Sequence, residues 1–189
     1  MKKNKSDGLD VSKNHPCIDQ HDVQKMYSSG TLSNSSPDSL LNKVFFEIQL
    51  HFGRRGKEGL RELKKTSFII TKDANGLEYA KLSHNEKQKN HQGDRPKPKE
   101  NTGDEPRMYA HPNDEKCPIK SLKKYLDKLN PKCDAFFQRP LLSFSSDSSP
   151  WYSNQAIGHN TLGRMMKSIS KKAHLSIKNI QITVSEQPR

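Results

Sequence analysis

The stretch from Ser36 to Gly53 constrains the fold of this chain more than any other. Ser36-Pro37 is a helix start, because a serine hydroxyl accepts from an unmet first-turn N–H and proline has no N–H to leave unmet. Leu41, Val44, Phe45, Ile48 and Phe52 then recur at helical spacing and define one face that must be buried. Gly53 ends the run. A chain built around such a helix needs further apolar faces to cover it.

The segment after this helix is basic. Gly53-Arg54-Arg55-Gly56-Lys57-Glu58 leads into a further helical turn or two over Gly59–Lys65, with Leu60 and Leu63 inward and Arg61, Lys64 and Lys65 outward. Adjacent guanidinium groups between glycines suit phosphate, since arginine offers a planar fork and glycine lets backbone approach closely. The same residues also fit a solvated helix–loop–helix corner, and spacing alone leaves both readings open.

Hydrophobic residues make up 30% of the chain and charged residues 29%, so not all of its 189 residues can be packed core. A single domain of about 130–150 residues with polar extensions fits that balance. Residues 1–18 read as a disordered leader, 19–176 as the domain, and 177–189 as a tail without helical period. A short helix is expected over Asp22–Ser28. Ser67–Thr71 and Leu77–Leu82 alternate like strands, and Asp73-Ala-Asn-Gly76 supplies the turn chemistry of a hairpin. Residues 84–106 hold no aromatic or aliphatic side chain and read as a flexible insert. Arg107–Ala110 is a third short strand.

Pro118 opens another helix, with Ile119, Leu122, Leu126 and Leu129 on one face and Lys120, Lys123, Lys124 and Lys128 on the others; Asn130-Pro131 ends it. Phe136-Phe137 and Leu141-Leu142 read as core or short extended segments. Ser143–Pro150 reads as a polar loop and Trp151-Tyr152 as an aromatic anchor. A last helix from Asn160 buries Leu162, Met165, Met166, Ile169 and Ala173 and shows Arg164, Lys167, Lys171 and Lys172 outward.

Thirty-three Lys and Arg against 21 Asp and Glu leave a net charge of +12 and a pI near 9.6, which favours a polyanionic partner. Cys17, Cys117 and Cys133 are too few and too scattered for a disulfide framework, which points to a reducing compartment, nucleus or cytoplasm. His15, Cys17 and His21, and Cys117 and Cys133 with His111, lack the paired spacing of a zinc site, so no metal is expected. There is no nucleophile elbow, no phosphate-binding glycine loop and no apolar run that would span a bilayer. No cofactor, small-molecule substrate or membrane partner is expected. The cations fall into four groups: Arg54 to Lys65, Lys87 with Lys89, Lys120 to Lys128, and Arg164 to Lys172.

The runs LLNKVFFEIQLHFGRRGKEGLRELKKTSFIITKDANGLEYAKL, KCPIKSLKKYLDKLNP and WYSNQAIGHNTLGRMMKSISKKAHL resemble the C-terminal domain shared by MYM-type zinc finger proteins and glutamine-rich protein 1. That domain in turn is similar to the catalytic domain of Crypton-type tyrosine recombinases. The resemblance covers about Asp19 to Leu175. It implies a mainly α fold with a small β-hairpin or sheet, recombinase-like and incomplete at its C-terminal end. Recombinases of this kind clamp a scissile DNA phosphate with Arg, a hairpin Lys and a His-x-x-Arg pair, and attack it with Tyr; cations are needed because charge builds on the phosphate oxygens. The first Arg falls on Arg55, with Glu58 three residues on. The hairpin Lys falls on Lys89, with Lys87 as the other choice. After KKAHLSIKN the chain reads IQITVSEQPR, with neither the His-x-x-Arg pair nor a following Tyr, and Tyr152 comes too early, in a loop before the last helix.

The expectation is therefore a catalytically inactive, recombinase-derived module in the nucleus, associated with DNA or chromatin proteins and acting in transcriptional regulation. Its expected DNA-binding residues are Arg54, Arg55, Lys57, Arg61, Lys64, Lys65, Lys87, Lys89, Arg164, Lys167, Lys171 and Lys172. The alternatives are a protein-interaction domain without DNA contact and, further off, a recombinase fragment.

Overall fold

The computed structural model describes residues 18–53, 59–83 and 105–175. Helix α1 spans Gln20–Ser28, capped by Asp19, whose carboxylate accepts from the Asp22 N–H at 2.7 Å. Helix α2 spans Pro37–Phe52 and begins as its sequence predicts: Ser36 Oγ accepts from the Ser39 N–H, Ser39 Oγ accepts from the Ser36 N–H, and Pro37 occupies the first turn. Gly53 closes it in the left-handed conformation, φ 59°.

Burial of α2 goes well beyond the predicted stripe. Leu40, Phe46, Asn42, Lys43, Glu47 and Gln49 are buried along with Leu41, Val44, Phe45, Ile48 and Phe52. A helix covered on all sides is the centre of its domain, and α2 has neighbours on every flank. Met26 of α1 and Leu32 belong to the same apolar cluster. Helix α3, Pro118–Lys128, packs against it through Ile119, Leu122 and Tyr125.

Strands β1 (Phe68–Lys72), β2 (Glu78–Leu82) and β3 (Met108–Tyr109) form an antiparallel sheet in that order, with Phe68 opposite Leu82 and Tyr79 opposite Tyr109. The hairpin turn is held by Asp73, whose Oδ1 accepts from the N–H groups of Asn75 and Leu77, each at 2.9 Å. Gly76, at φ 80°, takes the position where a Cβ would be strained. Phe68, Ala80 and Met108 send this sheet's inner face into the core.

A second sheet goes beyond the sequence expectation. Strand β4 (Gln138–Pro140) pairs antiparallel with β5 (Tyr152–Ala156). The organiser is Gln138, fully buried. Its amide donates to the carbonyls of Asn130, Cys133 and Ala135 and accepts from the Asn130 N–H, so one side chain satisfies much of the backbone of the 130–138 connection. Tyr152 therefore lies at the start of a strand, not in a loop. The architecture is a mixed α/β domain in which, among the described residues, five helices accompany two small antiparallel sheets.

Three further expectations change. Gly59–Glu62 forms turns, and regular structure resumes as a 3-10 turn at Lys65–Ser67. The last helix is two, α4 (His159–Leu162) and α5 (Met165–Lys172), separated at Gly163-Arg164. Leu142 is fully exposed, while Trp151, whose ring lies 5.2 Å from that of the exposed Phe144, is buried in the core. The expected leader, insert and tail fall largely on 1–17, 84–104 and 176–189, outside the described residues.

Candidate nucleic-acid interface

Arg54, Arg55 and Lys57, and likewise Lys87 and Lys89, lie outside the described residues. The segment from Gly59 onward is well anchored. Leu60 and Leu63 are buried, while Arg61 and Lys64 are exposed. Lys64 pairs with Ala135 as an isolated antiparallel bridge, and the Lys65 N–H donates to the Asp134 carbonyl at 3.2 Å. Lys65 is engaged within the molecule. Its Nζ donates to the carbonyls of Asn130 and Pro131 at 3.4 and 3.0 Å, just past the C-terminal end of α3, where a cation is favourable.

Three of the four lysines of α3 are engaged within the molecule as well. Lys123 Nζ bonds both carboxylate oxygens of Glu78 at 2.8 Å, and that contact holds the Glu78 carboxyl below its usual range. Lys124 Nζ donates to the Asn34 carbonyl at 2.8 Å and Lys128 Nζ to the Ser148 carbonyl at 2.9 Å. Both ammonium groups also lie over the ring of Trp151, at 4.9 and 5.5 Å from its centroid. Trp151 is fully buried and its indole N–H donates to the Ser145 carbonyl at 2.8 Å.

Helix α5 differs. Arg164, Lys167, Lys171 and Lys172 are all exposed, and Met165, Met166, Ile169 and Ala173 face the core. Arg164, Lys167 and Lys171 follow one another at intervals of three and four residues, which places them along one side of the helix. No Asp or Glu occurs anywhere from Tyr152 to Leu175. None of the four cations has an ion pair among the described residues.

Sequence reasoning missed a line of ionisable groups inside α2. Lys43, Glu47 and His51 recur every four residues and so share one side of the helix; that regularity was the signal. Glu47 is buried, accepts a short hydrogen bond from the Tyr27 hydroxyl, and lies 3.3 Å from His51 Nε2. Lys43 is 2% exposed; its Nζ donates to the Glu115 carbonyl at 3.3 Å and sits 5.4 Å from the centre of the Tyr27 ring. Burial lowers the Lys43 pKa, and the Glu47 charge offsets part of that.

Three of the five tyrosines donate hydrogen bonds inside the fold. Tyr125 and Tyr152 are fully buried and donate to the carbonyls of Phe136 and Pro37, each at 2.9 Å. Burial pushes both phenols far above their ordinary pKa, and burial together with the Glu47 carboxylate does the same to Tyr27. Cys117 and Cys133 are buried thiols, Cys117 Sγ accepting from the His111 N–H, and no group of three metal-ligating side chains occurs among the described residues. No helix among them is long and apolar enough to cross a membrane.

These features define a small α/β domain with one unneutralised basic helix on its surface. The chain belongs to the family described as domain of unknown function DUF3504, whose model matches residues 18–171. It is also similar to zinc finger MYM-type protein 2 of mouse, orangutan (Pongo abelii) and human. Each is 38% identical over 58 residues, covering 29% of this chain and 4% of that protein. No solved structure matches it.

Proposed function

We propose that this chain is a catalytically inactive, recombinase-derived DNA-binding module that works in the nucleus, in association with chromatin, in transcriptional regulation. The observation that carries the reading is α5, where Arg164, Lys167, Lys171 and Lys172 are exposed in a stretch without a carboxylate. Cations that neutralise DNA phosphates release condensed counterions, which gives binding that is strong at low salt and falls steeply as salt rises. Arg61 and Lys64 are exposed as well, and Arg54, Arg55 and Lys57 join them by sequence. The inactive part of the reading is supported by three of the five tyrosines, Tyr27, Tyr125 and Tyr152, whose hydroxyls are tied to Glu47, Phe136 and Pro37 inside the fold.

The test is duplex DNA binding over a salt series, comparing wild type with Arg164→Ala/Lys167→Ala/Lys171→Ala/Lys172→Ala. Removing one phosphate contact lowers the slope of log K against log salt by about 0.9. A quadruple variant whose slope and affinity match wild type overturns the proposal. The exposed apolar side chains Leu142, Phe144 and Ile69 support a second reading, a protein-interaction domain without DNA contact. Weak, salt-insensitive DNA retention in both proteins would favour it.

A further inference from the structure

A groove of about 850 Å³ opens between α1, the Leu32–Asn34 segment ahead of α2, and the Glu115–Lys120 approach to α3. Lys25, Lys116 and Lys120 line it from exposed positions, and Lys43 lines it from a buried one. Glu115 is the one carboxylate among the lining residues. Two further carboxylates, Glu47 and Asp114, act on Lys43 and Tyr27 from outside the lining, so four ammonium groups keep a small excess of positive charge over three carboxylates.

Lys43 makes the groove more than a basic surface. An ammonium has three donors, and a buried one needs acceptors or an anion to offset its lost hydration. Here its hydrogen bonding is a single carbonyl at 3.3 Å, with the Tyr27 ring beside it. Glu47, one turn along α2, is bound to Tyr27 and His51, and no carboxylate lies within ion-pair distance of Lys43 among the described residues. A buried ammonium with unmet donors at a concavity can take up the oxygens of an anion.

We infer that this groove binds a small polyanion carrying two or more phosphoryl groups. Each phosphoryl group brings about two negative charges and three acceptor oxygens, which the three exposed ammonium groups and the unmet donors of Lys43 can take up. The lining cations are lysines, which act on phosphate as point charges. The volume lies within the roughly 300–1,000 Å³ of small-ligand sites, and a concavity of that kind does not admit the broad backbone of a duplex. The groove uses none of the α5 cations, so the inference stands apart from the DNA reading.

Calorimetric titration of the full chain with inorganic tripolyphosphate, at physiological ionic strength, tests it. Wild type is expected to bind at one site, and Lys116→Ala/Lys120→Ala to weaken binding by about tenfold or more. Lys43→Met is expected to abolish it; should that variant fail to fold, the surface pair decides alone. Lys167→Ala/Lys171→Ala on α5 is expected to bind as wild type does. Absence of binding by wild type, or undiminished binding by the Lys116/Lys120 variant, overturns the inference. So does equal weakening by the α5 variant, which would reveal diffuse attraction. A hexaglutamate peptide that binds more tightly than tripolyphosphate would overturn it too, by assigning the groove to acidic peptide.

Discussion

Helices α3 and α5 have the same kind of sequence and end differently. Each carries an apolar stripe on one side and several lysines on the others. On α3, Lys123, Lys124 and Lys128 reach Glu78, the Asn34 carbonyl and the Ser148 carbonyl, and two of them cover Trp151. On α5, the cations are exposed and form no ion pair among the described residues. The difference lies in what surrounds each helix. Around α3 there are chain turns with outward carbonyls and an aromatic ring, which are good partners for a long flexible ammonium. The stretch that holds α5 has no carboxylate to offer. A lysine on a polar helix face can therefore be a structural fastener or a free charge, and only the second kind attracts a polyanion over distance.

The comparison breaks most easily at Trp151. Trp151→Ala removes the ring under Lys124 and Lys128 and empties a fully buried position, at an expected cost of about 3–5 kcal/mol in urea unfolding. A loss below about 1 kcal/mol would mean that the α3 lysines rest on nothing rigid. The next variant pair sets the two helices side by side. Lys124→Ala/Lys128→Ala should destabilise by about 1–3 kcal/mol, from two ammonium–carbonyl bonds and two ring contacts. Lys167→Ala/Lys171→Ala should stay within about 0.5 kcal/mol of wild type while weakening DNA binding. Similar stability losses in both would erase the distinction between fastener and free charge.

Elements specified by neighbouring residues were legible in the sequence; those specified by distant ones were not. The Ser36 cap, the apolar period of α2, the Asp73–Gly76 turn and the Pro118 start are all local, and each element formed where its residues predict. Strand β4 has three residues, ends in proline, and depends on Gln138 bonding back to Asn130, Cys133 and Ala135, which no alternation pattern reveals. The full burial of α2 was hidden because Lys43, Glu47 and Gln49 read as a polar face until Tyr27 and Glu115 supply partners for the two charged ones. For the candidate site, the outward cations of α5 were readable from the apolar stripe that opposes them. The diversion of Lys65 to the carbonyls of Asn130 and Pro131 was not, because those partners are 65 and 66 residues away.

The smallest expected effect concerns Lys123 and Glu78, the α3 contact most open to solvent. The Lys123 hydrogen bond holds the Glu78 pKa below its ordinary value. A carboxyl whose folded pKa is depressed adds stability above its unfolded pKa, about 4.3, and loses it as pH falls through the lower folded value. Lys123→Met should therefore leave the protein slightly less stable at neutral pH and nearly equal to wild type below that window. Thermal unfolding at about pH 7 and about pH 2.5, each at low and high salt, reads this directly. Because the pair is exposed, about 0.5 M salt should remove most of the neutral-pH difference. A difference that persists unchanged in acid would show that Lys123 acts through the packing of its aliphatic stem, and would move it from the electrostatic side of the α3 contacts to the apolar one.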